Sequence, residues 1–446
     1  MASAAEQLAA NMSWSTFGKA KELQQRILFT IAILIVYRIG THIPMPGINP
    51  IELARFIEQT QQGILGVVNM FAGGAIERMA IFALGIMPYI SASIIMQLMT
   101  TMVPKLEQLK KEGEQGRKKI NQYTRYGTVF LATIQAYGIA IGLEGQGVVI
   151  EPGLFFRASA VITLVGGTVL LMWLGEQVTA RGVGNGISLI IFVGIVATLP
   201  QAFGQFFAGQ RASGGSALVI IFILAMIIAV MAFVVFVERA QRRIVIQYPQ
   251  RQVGMRVYQG DRSHLPIKVN AAGVIPAIFA SSLLLLPATV AGFSAQGGEG
   301  GGVLDFIAAN LGRGSPMFIA LFAGLIIFFC FFYTAIVFNP QEVAENLKKH
   351  GGFIPGVRPG QRTAEYLDYV LTRLTVVGAA YMAFVCVLPE LVTSSIGAEL
   401  AFALGGTSML IVVSVTMDTI SQVQSHLLAH QYEGLIKKSK LRGRKK

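Results

Sequence analysis

Long apolar runs dominate this sequence and limit it to one fold class. Several of them exceed about 18 residues, the length that a helix needs to cross the hydrocarbon core of a bilayer. Charged residues make up only 13% of the chain, whereas soluble proteins contain about 25%. A transmembrane β-barrel would instead alternate apolar and polar residues in segments of about ten. We therefore predict an all-α polytopic membrane protein.

The apolar runs predict ten membrane-spanning helices. An even number of spans places both termini on the same side of the membrane. No small-residue cleavage site follows the first run, so we expect no cleaved signal peptide. The predicted spans are about 26–43, 75–99, 125–143, 155–174, 184–201, 216–237, 271–292, 316–338, 372–391 and 400–418.

Lysine and arginine are distributed unevenly between the two sides of these spans. Thirty of the 36 lie in the N-terminal segment, in the C-terminal tail and in the loops on the same side as these. Cytoplasmic segments of membrane proteins carry such an excess of positive charge. We therefore expect both termini in the cytoplasm. Two of the loops on that side, 238–270 and 338–373, are long enough to suggest a function of their own.

A short apolar segment precedes the second predicted span. Ile64–Ala72 is apolar but too short to cross a membrane, and Gly73-Gly74 separates it from the long run that begins at Ala75. Irregular backbone at membrane depth is tolerated only where protein or a water-filled cavity surrounds it. We therefore predict a half-span that lies inside a channel mouth and is joined by a glycine hinge to a full helix.

Acidic residues avoid the middle of every predicted span. Glu77, Glu176, Glu390 and Asp418 all lie at span ends. Proton- and ion-coupled transporters place ionisable residues in the membrane interior, where they are costly and functional. Their absence there disfavours such a transporter, although backbone carbonyls at broken helices could still bind Na⁺.

Catalytic and metal-binding patterns are weak. Gly182–Gly186 (GVGNG) has the glycines of a phosphate loop but lacks its Lys-Ser/Thr and follows no strand, so a tight turn is the alternative. His426 and His430 are four residues apart on a predicted tail helix, where a metal site competes with an ordinary solvated face. We expect no enzymatic activity, no catalytic residue, no cofactor and no metal.

Pairs of isoleucines recur at helical spacing. Ile86 and Ile90 share a face of the second span, and Ile187 and Ile191 repeat that spacing in the fifth. Pro88 removes one backbone hydrogen bond and predicts a local bend. For such pairs lipid contact or core packing is favoured over a pore-lining position, and the sequence alone does not place either pair on a pore. Three polar residues at or inside spans should each face another helix or water: Ser91, Gln135 and Asn270.

The two long loops combine arginines with a shaped tip. The first carries Arg243, Arg251 and Arg256, and the second displays Arg358 between Pro355-Gly356 and Pro359-Gly360. Arginine makes bidentate contacts with carboxylates and phosphates. Anionic lipid would account for the charge alone. The Pro/Gly-shaped tip favours a docking surface for an acidic protein or RNA.

Extended motifs in a fixed order resemble the SecY family, the channel subunits of the bacterial Sec protein translocon. The resemblance covers about Phe29 to Leu435. Met255 stands where a basic residue is expected. The motifs are RIGTHIPMPGI (38–48), FALGIMPYISASIIMQL (82–98), KKEGEQGRKKINQYTRYGT (110–128), LMWLGEQVTARGVGNGIS (171–188), VERAQRRI (237–244), HLPIKVNAAGVIPAIFASS (264–282), FFYTAIVFNPQEVAENLKK (331–349), FIPGVRPGQRTAEYL (353–367) and GGTSMLIVV (405–413).

The resemblance implies two pseudo-symmetric five-helix halves that form a clamshell around an hourglass pore. They would be residues 1–205 and 206–420, followed by a basic cytoplasmic tail at 421–446. The implied apolar pore ring is Ile86, Ile90, Ile187, Ile191, Ile278 and Ile411. The implied plug, at about 64–74, includes Ile64, Val67, Asn69, Met70, Phe71, Gly73 and Gly74.

Further roles follow from the same resemblance. Spans two and three would face spans seven and eight as a lateral gate, with Ser91, Gln135 and Asn270 as its polar cluster. Arg243, Arg251, Arg256 and Arg358 would contact the SecA motor ATPase or the ribosome. The remaining implied partners are the small membrane subunits SecE and SecG, unfolded secretory and membrane proteins, and anionic phospholipids.

The function implied is passive conduction of unfolded polypeptide across the bacterial cytoplasmic membrane, with sideways release of apolar segments into lipid. SecA or a translating ribosome would supply the driving force. A secondary transporter of small solutes and a membrane insertase without a through-pore remain the alternatives.

Overall fold

Helices form most of the chain in the computed structural model, which describes residues 21–60, 69, 72–212, 217–249, 251–253, 256–258, 262–284, 315–396 and 405–443. The described residues fall into two compact units. The first contains those up to Phe203 and those from Ile411 onward, and the second contains those from Gly204 to Leu410.

The first unit is entirely helical apart from its connections. The helices of the first unit are α1 (Lys21–Gly40), α2 (Pro50–Thr60), α3 (Met87–Met102), α4 (Pro104–Lys111), α5 (Glu114–Gly145), α6 (Leu154–Arg181) and α7 (Gly186–Ala212). The last of them, α7, continues into the second unit.

The second unit adds four short strands to its helices. β1 (Gln241–Gln247) pairs antiparallel with β4 (Arg262–Lys268), and β2 (Arg251–Val253) pairs with β3 (Arg256–Tyr258). The long loop 238–270 therefore forms two β-ribbons, which the all-α prediction did not include. The helices are α8 (Ala217–Arg239), α9 (Ile275–Leu284), α10 (Pro316–Val337), α11 (Pro340–Lys349), α12 (Gln361–Ile396) and α13 (Gly406–Gly443), of which α13 continues into the first unit.

Six of the described helices are long and apolar enough to cross a membrane: α1, α5, α6, α7, α10 and α12. The prediction of a helical polytopic membrane protein is therefore confirmed. α3 has 16 residues and α9 has ten described residues, both shorter than a full crossing requires. The total of ten spans stays a prediction.

The second predicted span begins later than expected. Residues 73–86 form turns, and the helix α3 starts only at Met87. Gly85 has a φ of +56°, which a helix does not tolerate, and Pro88 lies in the first turn of α3, where its missing N–H costs nothing. The predicted helix from 75 was thus wrong. Pro88 begins α3 and does not bend it.

A neighbouring loop satisfies the backbone of this non-helical segment. Met45 donates its N–H to the Met79 carbonyl at 2.9 Å, and Ile81 donates to the Ile43 carbonyl at 3.0 Å. These bonds flank an isolated antiparallel bridge between Pro44 and Ala80. The segment therefore pairs with the chain that follows α1, as the second strand of a very short ribbon.

Small residues let α5 and α6 approach each other and the segment closely. Ala132, Ala136 and Ala140 recur every four residues on α5, and all three are fully buried in one cluster with Phe156 and Leu164 of α6. Small side chains at such seams allow helices in membranes to pack backbone to backbone. We call these three alanines the alanine seam.

Gly167 on α6 lies directly against the non-helical segment. A Cβ atom at this position would overlap the carbonyl group of Ile81, whereas a Cβ atom at the neighbouring Gly166 would meet nothing within 4 Å. The contact fixes the distance between α6 and the chain that leads into α3.

We expect Gly167→Ala to lower the free energy of unfolding by about 1–3 kcal/mol, because the added methyl group overpacks a backbone contact. Gly166→Ala is the matched control and should be neutral or stabilising by up to about 1 kcal/mol, since alanine favours helix. The measurement is the midpoint of thermal unfolding of the purified protein in detergent. Equal midpoints for the two variants would contradict the prediction.

Candidate functional site

Ile86 and Ile90 lie at the point where the non-helical segment becomes helix. Ile86 is the N-cap of α3, and its carbonyl accepts the N–H of Ile90 at 3.1 Å. Both side chains are buried, with exposures of 4% and 6%. Because a helix starts here, the two isoleucines lie at the first turn of the 16-residue helix α3 and not in the middle of a full span.

The other four isoleucines are spread over three helices. Ile187 and Ile191 lie in the first two turns of α7, the former half-buried and the latter buried. Ile411 on α13 is fully buried, and Ile278 on α9, in the second unit, is half-buried. That the six residues form one ring remains a prediction.

The plug prediction falls only partly on described residues. Ile64, Val67, Met70 and Phe71 lie outside them, whereas Asn69, Gly73 and Gly74 are described. Gly73 and Gly74 have φ angles of +67° and +80°, in the left-handed region that glycine adopts without strain. The two glycines therefore reverse the chain between Asn69 and the non-helical segment, where the sequence predicted a hinge.

Asn69 is bound to the segment that follows it. Its Oδ1 accepts the backbone N–H groups of Ile76 and Glu77 at 3.1 and 3.2 Å, and its Nδ2 donates to Glu77 Oε1 at 2.7 Å. Its own carbonyl accepts the N–H of Gly74 at 2.9 Å. One side chain thus satisfies two backbone donors that would otherwise be unpaired in a buried, non-helical region.

A second contact holds the glycine pair from α1. Arg38 donates from Nη1 to the Gly73 carbonyl at 2.7 Å. The fully buried Tyr37 on the same helix stacks against Phe82 of the segment, with ring centroids 6.1 Å apart. The residues predicted as the base of the plug are therefore tied to α1 and to the segment 73–86 at the same time.

The three predicted gate residues have different surroundings. Ser91 is buried on α3, and Gln135 is half-buried on the adjacent α5. Ala92 of α3 lies beside Gly127 of α5, which precedes Gln135 by eight residues. Ser91 is therefore about seven residues, or roughly 10 Å along the axis of α5, from the level of Gln135. Within the first unit these two polar side chains lie on neighbouring helices at different depths.

Asn270 is held inside the second unit. Its Nδ2 donates to Glu238 Oε1 at 2.8 Å and to the Gly273 carbonyl at 3.1 Å, and it approaches Met382 Sδ at 3.5 Å. Glu238, at the end of α8, is only 8% exposed. The prediction that a polar residue here should face another helix rather than lipid has a structural basis in these contacts.

Sequence reasoning did not identify Glu238 as part of this arrangement. The sequence places it only at the start of the charged loop 238–270. The signal that could have singled it out is its position at the end of an uninterrupted apolar run, where a carboxylate needs a buried partner. The same signal applies to Glu77, whose partner proved to be Asn69.

The two long loops pack together into one layer, which we call the loop layer: β1, β4 and residues 338–371. Gln247 of β1 and Phe353 exchange backbone hydrogen bonds of 2.9 Å in both directions. Beneath them lies an apolar cluster that includes Ile244, Ile267, Ile354, Leu367, Val370 and Leu371. The sequence predicted both loops but not their association.

Two of the four predicted docking arginines, Arg243 and Arg358, are placed by this layer. Arg243 is exposed on β1 next to the buried Ile244, and Arg358 is exposed in the turn after Ile354. Gly356 and Gly360 have φ angles of +84° and +107°, and Thr363 Oγ1 donates to the Arg358 carbonyl at 2.9 Å. The backbones of Arg251 and Arg256 belong to the β2–β3 ribbon, while Met255 lies outside the described residues.

Comparison with known proteins identifies the chain's relatives. The SecY family model matches residues 80–420. The protein translocase subunit SecY of Pseudomonas aeruginosa is 57% identical over 426 residues, which cover 96% of each chain. The Escherichia coli K12 subunit of the same name is 54% identical over 433 residues, covering 96% of this chain and 97% of the relative.

Solved structures share the fold at much lower identity. A protein-conducting channel superposes with a TM-score of 0.64 at 19% identity, over 91% of this chain and 92% of the other. Sec61 in a canine ribosome–channel complex from the endoplasmic reticulum gives 0.63 at 20% identity over the same shares. The match of the family model over most of the chain and the near full-length relatives establish that this multi-pass membrane protein belongs to the SecY family.

Proposed function

We propose that the protein is the channel-forming subunit of a protein translocase and conducts unfolded polypeptide across the bacterial cytoplasmic membrane. The observation that carries the proposal is the 57% identity to a translocase subunit over 96% of both chains. Similarity of this extent leaves little room for a change of function. The buried isoleucine at the start of α3 and the anchored Asn69 agree with a pore and a plug.

In the proposed mechanism, the six isoleucines form an apolar constriction. Branched aliphatic side chains can surround a passing chain of varied sequence without binding any side chain tightly. A narrow apolar passage also excludes water and ions by dewetting. The isoleucines would therefore limit ion leak while still admitting polypeptide.

The plug would close the outer side of this constriction. Its attachment at Asn69, Gly73 and Gly74 would allow the preceding residues to move while the segment 73–86 stays fixed, since the described side-chain bonds of Asn69 and the bond from Arg38 Nη1 are made to residues from Gly73 onward. Displacement of the plug would open the passage without unfolding the region that starts α3.

Sideways release would use the gate residues. A segment apolar enough to prefer lipid over the pore leaves between α3 and α5, which carry Ser91 and Gln135, and the chain at Asn270 that leads into α9. The rigid hold on Asn270 by Glu238 keeps a polar surface on one side of this exit. Polar segments would then remain in the pore, because lipid offers them no hydrogen-bond partner.

The driving force would come from outside the channel. SecA or a translating ribosome would dock on the loop layer through Arg243 and Arg358 and on the β2–β3 ribbon through Arg251 and Arg256, with both termini on the same cytoplasmic side. We further propose SecE and SecG as the small membrane subunits of the complex and anionic phospholipids as its lipid partners. The protein itself would catalyse no reaction.

A solute transporter and an insertase without a through-pore are the competing functions, and a reconstitution experiment separates them. The chain is placed in vesicles with SecE, SecG and SecA, and a secretory precursor is followed by protease protection. We expect protection that depends on ATP. A complete lack of protection would overturn the proposal. Insertion of membrane proteins without export of the precursor would support the insertase.

We expect Asn69→Ala to raise the ion conductance of the resting channel, because the base of the plug loses its bonds to Ile76 and Glu77. Translocation driven by SecA should persist. Planar-bilayer recordings measure the leak. Gln122→Ala, at an exposed position of α5, is the control. A resting conductance equal to that of the wild type would exclude the anchoring role of Asn69.

We expect Arg358→Glu to impair translocation driven by SecA or the ribosome by reversing an exposed charge at the tip of the loop layer. The resting conductance and thermal midpoint should be unchanged, since the side chain makes no part of the apolar cluster. Precursor protection measures the effect. Arg362→Glu, the same charge change four residues away on α12, should impair translocation less. Normal translocation by Arg358→Glu would refute docking at this residue.

A further inference from the structure

The turn between α6 and α7, residues 182–186, is bound by oxygen atoms from three helices. Val183 donates its N–H to Thr30 Oγ1 of α1 at 3.1 Å, and Gly184 donates to Gln422 Oε1 of α13 at 2.8 Å. Gly186 donates to Thr179 Oγ1 of α6 at 2.9 Å. All of these residues belong to the first unit. We call this arrangement the turn clamp.

Two further donors near the turn are also engaged. Gly182 donates to the Val178 carbonyl at 2.8 Å, and Ile187 donates to Asn185 Oδ1 at 3.2 Å, which caps α7. A phosphate loop needs free N–H groups that converge on an anion. Since these five donors already have acceptors, the glycine pattern here serves a tight turn and does not form a phosphate site.

Both threonines of the clamp are oriented by their own helices. Thr30 Oγ1 donates to the Arg26 carbonyl at 2.9 Å, and Thr179 Oγ1 donates to the Gly175 carbonyl at 2.9 Å. A hydroxyl group has one donor and two acceptor positions. Because each hydroxyl donates its proton to a carbonyl of its own helix, a lone pair of the hydroxyl oxygen is left to accept a hydrogen bond from the turn. Each hydroxyl therefore fixes the turn relative to its helix.

Apolar contacts reinforce the polar ones. The buried Val183 packs with Leu23 of α1 and Leu427 of α13, and Ile27 and Val423 are packed against this cluster. Gly184 has a φ of +88°, so the backbone can reverse at the point where Gln422 reaches it. The turn thus joins the first and the last described helices of the chain to the start of α7.

The helices that meet at the clamp carry residues of the proposed pore. Ile187 is the second residue of α7, and Ile191 lies one turn further on. On α13, Ile411 precedes Gln422 by 11 residues, which is three helical turns plus about 20°, so both lie on the same face about 16 Å apart. A shift of the clamp would move both helices along or about their axes.

We propose that Thr30, Thr179 and Gln422 are positioning residues that hold α7 and α13 in register at the proposed pore, and that α13 passes movement of its cytoplasmic end to Ile187 and Ile191 through the turn. This inference rests on the proposed function. It assigns a role to the glycine-rich motif and to the long C-terminal helix that channel function alone does not assign.

The test uses the reconstituted complex with SecE and SecG and records its resting ion conductance. Gln422→Met removes the acceptor but keeps the length of the side chain, and Thr30→Val removes the hydroxyl but keeps the shape. We expect each to raise the leak by about two- to tenfold, the change that the loss of one ordinary hydrogen bond produces in an equilibrium. The thermal midpoint is measured on the same preparations.

Controls separate positioning from general destabilisation. Gln424→Met makes the same change at an exposed position of α13 that lies two residues away and should leave the leak unchanged. Thr30→Ser keeps both bonds and should restore wild-type conductance. The double variant Thr30→Val with Gln422→Met should show less than the product of the single effects, because both act on one turn.

Two outcomes would overturn the inference. One is wild-type conductance in both Gln422→Met and Thr30→Val; the other is an equal rise in Gln424→Met. If Thr30→Val does not fold, Gln422→Met still decides, because this side chain lies on an exposed surface and its replacement leaves no cavity. Failure of the wild-type complex to translocate a precursor would refute the proposed function separately, since the leak measurement does not depend on it.

Discussion

The requirement that every buried backbone N–H and C=O find a partner shapes this protein more than any other constraint. Lipid offers no hydrogen bonds, so a chain that leaves the helix inside a membrane must bring its partners with it. Residues 73–86 meet this requirement through the chain after α1 and through Asn69, whose single amide serves two N–H groups and one carboxylate. Because these non-helical residues have hydrogen-bond partners, α3 can start as late as Met87, and Ile86 lies at its beginning.

The same constraint is met in a different way on the other side of α6. The turn 182–186 borrows side-chain oxygens from α1, α6 and α13 and needs no second strand. The two irregular regions thus border the helices that carry most of the proposed pore residues. Breaks in helices, and not the helices alone, decide where those isoleucines lie.

Much of the architecture could be predicted from local sequence, whereas the partners could not. Apolar runs identified α1, α5, α6, α7, α10 and α12 because length and composition are sufficient to indicate a span. For the same local reason, Gly73-Gly74 predicted a hinge, and the glycines of 182–186 favoured a tight turn over a phosphate loop. Pro88 misled because a proline inside an apolar run looks identical whether it bends a helix or begins one. The partners of the second turn, Thr30 and Gln422, are 153 and 238 residues away from it, and no local pattern encodes such a separation.

Family resemblance supplied the roles that physical reasoning left open. Spacing alone favours lipid contact or core packing for the isoleucine pairs, and only the resemblance assigns them to a pore; the structure adds that four of the six isoleucines are buried. Arg243 and Arg358 were grouped by charge, but their common support by one apolar cluster appeared only in three dimensions. Chemistry of single residues was thus easier to predict than their assembly.

The alanine seam of α5 has a consequence for how this helix can change over evolutionary time. Ala132, Ala136 and Ala140 leave no room for a larger side chain, while Phe130, Ile134, Tyr137 and Ile141 on the same helix are largely exposed. On the exposed face, a substitution should be able to change the size of a side chain but not to make it polar. On the seam, only small side chains should be accepted. The exposed face of this helix can in this way change while its packing against α6 stays the same.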